Sequence, residues 1–317
     1  MIISASYRTD IPAFYGEWFM NRLEAGYCLA VNPYGSRITR IALDRESVDG
    51  FVFWTKNLRP FLKHLPEIRR RGYRFVVTYT ITAYPRALES SVVDADRSVE
   101  TLCRVAEQYG PRTCVWRYDP VIITSLTPPE YHLRSFERLA GRLSGATDEV
   151  VISFAQFYVK TTRNMAQAAG RFGFSWHDPA EEEKRTLVRR FVQIAAGHGM
   201  KLSLCAQRHL IVEGAFDARC VDAQRLADLG ADMSPVREKP HRKECGCFES
   251  RDMGEYDTCP HGCVYCYAVR SRKIALARFK AHDPTSEFLF PPPPHVLETV
   301  RHGCRQLPLF GQALSHE

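Results

Sequence analysis

Nowhere in the 317-residue chain do the roughly 18 uninterrupted apolar residues of a membrane-spanning helix occur. The opening stretch, MIISASYRTD, has neither the basic end nor the apolar core of a secretory signal, so a cytoplasmic protein with no membrane partner is expected. No glycine loop of the P-loop or Rossmann type is present, and no internal repeat. The eleven histidines are scattered, and none falls into a Ser–His–Asp arrangement, which leaves triad hydrolysis without support.

What is present is a chain that is 45% hydrophobic and long enough to bury a large core. Its net charge of +7 permits phosphate-bearing partners without requiring them. Basic runs lie at Arg69 to Arg71, Arg237 to Lys243 and Arg270 to Lys273, and a solvated helix end or loop explains each as readily as a ligand does. Eleven cysteines in a reducing compartment argue against a disulfide framework, and seven of them fall between Cys205 and Cys266, a concentration that points to metal. Cys28, Cys103, Cys114 and Cys304 stand alone and read as compact core residues.

Six short β-rich runs, at 2–6, 50–55, 74–82, 113–119, 149–156 and 201–207, alternate with helix candidates at about 13–25, 58–71, 95–109, 128–143 and 181–198. Residues 27–31 and 38–43 read as a hairpin-like excursion. Apolar strands each separated by a helix imply a parallel sheet covered by helices. Most strands finish in polar or aromatic clusters such as SYRTD, WTKN and RYDP, and so many equipped C-terminal ends favour a ring around one pocket. The expected fold is α/β, a partial six-stranded parallel (β/α)6 barrel of TIM type. Residues 1–207 would form the barrel, 208–281 a Cys-rich segment and following helix (267–280) packed on it, and 282–317 a Pro-rich tail with FPPPPH and RQLPLFGQ as an extended strap.

In DTCPHGCVYCYA, Cys259, Cys263 and Cys266 are spaced by three residues and then two. A loop with three close thiolates can grip a [4Fe–4S] cluster and leave one iron open. Zinc is the rival, with His261 or a distant cysteine as its fourth ligand. The C-x3-C-x2-C spacing followed by an aromatic resembles the signature of the radical S-adenosylmethionine (SAM) superfamily, and the tyrosines flanking the third cysteine bring it closest to spore photoproduct lyase. Nearly the whole chain, through SYRTDIPAFYGEWF, VFWTKN, WRYDP, ISF and CGCFESRDMGEYDTCPHGCVYCYA, resembles the bacterial family called domain of unknown function 1848.

The resemblance implies that Cys259, Cys263 and Cys266 hold the cluster and that SAM at the open iron yields a radical that takes hydrogen from substrate. It also implies that Tyr265 packs on the adenine, and that a flavodoxin or ferredoxin donates the electron. The superfamily carries this motif near its N-terminus, so a circular permutation is expected, with residues 201–205 replacing the first strand and 2–6 the second. The polar segment after that second strand then puts Asp10 against the ammonium and Arg8 against the carboxylate of SAM, unless the two simply pair with each other.

Cys205, Cys220, Cys245 and Cys247 make a full ligand set for a second [4Fe–4S] cluster or for zinc. Lys56 and Arg117 would hold an anionic substrate group and Tyr158 or a cysteine would return a hydrogen atom, with Trp54, Asn57, Tyr79, Asp119 and Gln156 also at strand ends. Arg117 with Asp119 reads equally as a structural pair. Two functions follow: a radical SAM enzyme acting on a small molecule or a nucleic acid, or a non-enzymatic iron–sulfur or zinc protein that binds nucleic acid.

Overall fold

The computed structural model describes residues 1–32, 37–233, 236–240, 242 and 244–292. Along the chain these form β1 (Ile2–Ala5), α1 (Ile11–Phe14), α2 (Gly16–Ala25), β2 (Tyr27–Val31), β3 (Ile38–Ala42), β4 (Gly50–Thr55), α3 (Leu65–Arg70), β5 (Phe75–Thr80), α4 (Ala95–Tyr109) and β6 (Cys114–Val121). They continue through α5 (Pro129–Leu143), β7 (Glu149–Phe154), α6 (Val159–Phe172), α7 (Glu181–Gly197), β8 (Lys201–Leu204), β9 (Ala215–Asp217), α8 (Ala223–Asp228), β10 (Ser250–Asp252) and α9 (Arg272–Lys280). Eight strands build one sheet in the order β10-β1-β4-β5-β6-β7-β8-β9, every neighbouring pair parallel. β2 and β3 pair antiparallel as a separate ribbon.

The strand sequences dictate which face meets which layer, because successive side chains point to opposite faces. On one face Phe51, Phe53, Phe75, Tyr79, Trp116 and Tyr118 pack with Trp18 and Phe19 of α2, Leu102 of α4, Phe136 of α5 and Phe191 of α7. On the other face Val52, Val76, Val115 and Val151 meet Leu226 of α8 together with Cys205, Cys220, Cys245 and Cys247. Large rings thus fill the helix-covered side, while valines leave room for the irregular Cys-rich segment on the inner side.

That packing departs from the expected partial six-stranded barrel. The sheet has eight strands and stays open, with the three-residue strands β9 and β10 at its two edges. Cys205, Cys220, Leu226, Cys245 and Cys247 pack on the inner-face valines, so that apolar surface is buried without barrel closure. The permutation expectation also shifts: β8 lies between β7 and β9, and the strand that leads into the loop of Cys259 is β10, paired with β1. Helix α9 begins at Arg272, capped by the Ser271 hydroxyl accepting from Ile274 N–H at 3.3 Å, so 267–271 belong to the loop instead of the helix. From residue 293 onward, the proposed strap lies outside the described residues, and so does Cys304. No helix among the described residues is long and apolar enough to cross a membrane.

One core group gives the fold a pH dependence. His132 of α5 is fully buried, with Nδ1 3.0 Å from Tyr118 OH and Nε2 2.9 Å from the Ile122 carbonyl oxygen. Burial disfavours the imidazolium and pulls its pKa down to about 4. In the unfolded chain this histidine titrates near ~6.5, so its contribution is complete above that value and is lost as pH falls toward the folded pKa. Urea unfolding should show the protein about 3 kcal/mol less stable at pH 4 than at pH 7 from this residue alone. H132Q should flatten that part of the pH profile.

Candidate functional site

Two cysteine groups sit at the C-terminal edge of the sheet, where parallel strands present their ends. The first follows β10. Asp252, the last residue of β10, accepts from Ser4 Oγ and Ser6 Oγ at 2.8 Å each and from Tyr7 N–H at 3.0 Å, which ties the loop to the end of β1. The loop is closed at its base by Asp257, which accepts from Arg270 N–H at 2.5 Å and Arg270 Nε at 2.7 Å. It is strapped to the chain after β5 by Val264 N–H to Leu88 O at 3.0 Å and Ser91 N–H to His261 O at 3.0 Å.

Within this frame Cys259, Cys263 and Cys266 are free thiols. Burial pushes all three thiols above the ordinary value. Two of the sulfurs also accept backbone hydrogen bonds: Cys259 from His261 N–H, and Cys266 from Val269 N–H and from Ala268 N–H at 3.4 Å. Gly262 makes the turn with φ +74, and a Cβ there would lie 2.3 Å from Ser90 Oγ and 2.5 Å from Arg272 Cδ. G262A should therefore cost about 1–2 kcal/mol in backbone strain alone, a loss that thermal unfolding of the purified variant measures.

Beside the trio, Lys56 Nζ donates to Glu89 at 2.8 Å, and the same carboxylate accepts from Thr82 Oγ1 at 2.8 Å and from Tyr265 OH. Burial disfavours both charges, yet Lys56 is held above and Glu89 below its ordinary pKa, because each carries the other's counter-charge and Cys263 adds to the field on Lys56. Lys56 Nζ also lies 5.7 Å from the centre of the Tyr265 ring. Tyr265 is buried and packs edge-on to Tyr84, with its hydroxyl turned into the ion pair.

Asp10 has both oxygens engaged. Oδ1 caps α1 through Ala13 N–H at 2.9 Å, while Oδ2 accepts from Lys56 N–H at 2.7 Å and meets His261 Nε2 at 2.8 Å. Arg8 does not pair with it. Its guanidinium lies 3.8 Å from Asp252 and 5.4 Å from the ring centres of both Tyr7 and Tyr256.

The second group joins β6, β8, β9 and the return toward β10. Cys220 Sγ lies 3.4 Å from Cys205 Sγ, Cys220 is also in hydrogen-bond contact with Cys247, and Cys247 with Cys245, so the four buried thiols form a continuous run. Arg117 donates to Cys220 Sγ at 2.9 Å and to Asp119 at 2.6 Å, and its guanidinium carbon lies 5.1 Å from the Trp54 ring centre. Arg242 donates to Cys205 Sγ at 3.3 Å. Among the described residues, no three His, Cys, Asp or Glu side chains stand converged as a ready-made metal site.

Of the remaining strand-end residues, Trp54 Nε1 donates to Ser4 Oγ at 3.0 Å, and Tyr79 OH accepts from Leu58 N–H at 3.3 Å inside the core. Asn57 Oδ1 accepts from Arg59 N–H at 3.3 Å. Tyr158 stands half exposed at the start of α6, its hydroxyl on Gln156 Oε1 at 2.6 Å, outside the group around Lys56. Lys56 therefore joins the trio and Arg117 joins the quartet. Glu89, Asp252 and Arg242 carry no local motif. His261 is visible within the motif, but its bond to Asp10 is a tertiary fact.

Fold and site together define a parallel α/β protein with a cysteine loop at the C-terminal edge of its sheet. The chain belongs to the family described as domain of unknown function DUF1848, whose model matches residues 2–268 and so spans the sheet and the cysteine loop. No curated protein matches the chain.

Proposed function

We propose that this protein is a radical SAM enzyme whose [4Fe–4S] cluster is held by Cys259, Cys263 and Cys266. The observation that carries the reading is the trio itself: three thiols within eight positions on one strapped loop at a parallel strand end, two of them already accepting backbone N–H bonds. That donor set suits thiolates, which such bonds stabilise. When bound, the cluster would supply the electron that reductively cleaves the sulfonium of SAM.

The chain's own residues then have separate tasks. Lys56 puts a cation beside Cys263 and offsets thiolate charge, with Glu89 holding it in place. Asp10 orients His261 and the backbone at Lys56. Arg8, at the end of β1 between two tyrosine rings, is the donor we assign to the SAM carboxylate. The strand order supports a permuted partial barrel: starting from β10, the chain would run through the loop and α9 into β1 and across the sheet to β7.

One observation favours a second reading. His261 Nδ1 is buried without a hydrogen-bond partner while Nε2 is fixed by Asp10, and a carboxylate orienting a histidine is a frequent support for a metal ligand. A Cys3His zinc site on the same loop is the result. Three cations of the basic flanks are already paired within the chain, Arg237 and Lys239 with Glu249 at 3.0 and 2.8 Å and Arg270 with Asp257 at 2.7 Å.

The test is anaerobic reconstitution followed by dithionite and SAM. Formation of 5′-deoxyadenosine by the wild type supports the first reading. No cleavage, with bound zinc that disappears on H261A, overturns it in favour of the second.

A further inference from the structure

We propose that Cys205, Cys220, Cys245 and Cys247 form a second metal site, separate from the trio, that binds a single tetrahedral zinc-type ion instead of an iron–sulfur cluster. The inference is independent of the SAM reading, because none of these four thiols belongs to the loop that reading uses.

The spacing of the sulfurs decides the nuclearity. A tetrahedral ion with Zn–S bonds of about 2.3 Å holds its sulfurs about 3.8 Å apart. Cys205 and Cys220 stand 3.4 Å apart, and Cys247 is in contact with Cys220 on one side and Cys245 on the other. A [4Fe–4S] cube interposes its own irons and sulfides between the thiolates and so needs them farther apart than these sulfurs stand.

The surroundings suit thiolates better than thiols. Guanidinium groups only donate, and Arg117 and Arg242 aim N–H groups at Cys220 and Cys205, while Val221 N–H points at Cys247 Sγ at 3.4 Å. Four thiolates around a dication leave a net charge of about −2, and the guanidiniums of Arg242 and of Arg117, the latter shared with Asp119, offset part of it. The position explains what such an ion would do. Cys205, Cys220, Cys245 and Cys247 pack with the inner-face residues Val52, Val76, Val115 and Val151, and an ion would cross-link the end of β8, the end of β9 and the return toward β10 there.

The experiment uses the full chain in three forms: wild type, C245S/C247S and C259A/C263A/C266A, each purified without chelators and analysed for zinc, iron and sulfide. One zinc per chain in the wild type and the trio variant, lost in C245S/C247S, is expected. Because the double variant could fail to fold, wild type is also titrated with a mercurial in the presence of a zinc indicator, where release of one zinc should track modification of four thiols. Replacement by Co(II) should give the sulfur-to-metal charge-transfer bands of a tetrathiolate site. Iron with matching sulfide that persists in the trio variant would overturn the single-ion assignment, and a Cys205–Cys220 disulfide in metal-free native protein would overturn the site.

Discussion

After anaerobic reconstitution, C259A/C263A/C266A is expected to contain about four fewer irons and four fewer sulfides per chain than the wild type, and to form no 5′-deoxyadenosine above background. The fold should survive, because the loop is held by groups other than the thiols: Asp257 on Arg270, Asp252 on the end of β1, and the straps to Leu88 and Ser91. The circular-dichroism spectrum and the unfolding midpoint should therefore change little while the iron disappears. Equal iron content in variant and wild type would remove the trio as the cluster site. In the single variants the loss should be near complete each time, since three thiolates are the minimum that leaves one iron open.

The second large effect concerns Glu89. It is 4% exposed, Lys56 14%, and the pair lies between the trio and the core. Removing one partner of a buried pair strands the other charge, so E89A should destabilise the protein by about 3–5 kcal/mol. K56M/E89L, which removes both charges and keeps volume, should recover much of that loss, and the double-mutant cycle in urea at pH 7 measures the coupling. Additivity of the two single variants would show that the pair carries no joint energy. The sign with pH is fixed by the depressed Glu89 pKa: its contribution is present above the ordinary carboxylate value of about 4.3 and is lost as pH falls through the lower folded value. E89Q keeps an acceptor for Thr82 and Tyr265 but not the charge, and should fall between E89A and the wild type.

The legible parts were those carried by neighbouring residues. The strands at 50–55, 113–119 and 149–156 were visible because their apolar runs lie between Gly, Pro and Asp, and the trio because its three thiols lie within eight positions, from Cys259 to Cys266. Helix α6 was missed because its buried face is built from Thr161, Met165 and Ala168, residues too small and few to make a clear stripe. Strands β9 and β10 were missed because three residues carry no periodicity, and they exist by pairing with β8 and β1.

Most of the order of strand and helix along residues 1–207, and the spacing of the three thiols in the cysteine loop, are properties of the sequence alone, since period and spacing are local. Whether the sheet closes was settled in three dimensions, where valines on the inner face accept a Cys-rich covering and leave both edges open. The same is true of the partners chosen by Glu89, Asp10 and Arg117. A buried charge takes whichever counter-group the packed chain delivers to it, and that delivery depends on contacts between segments far apart in sequence.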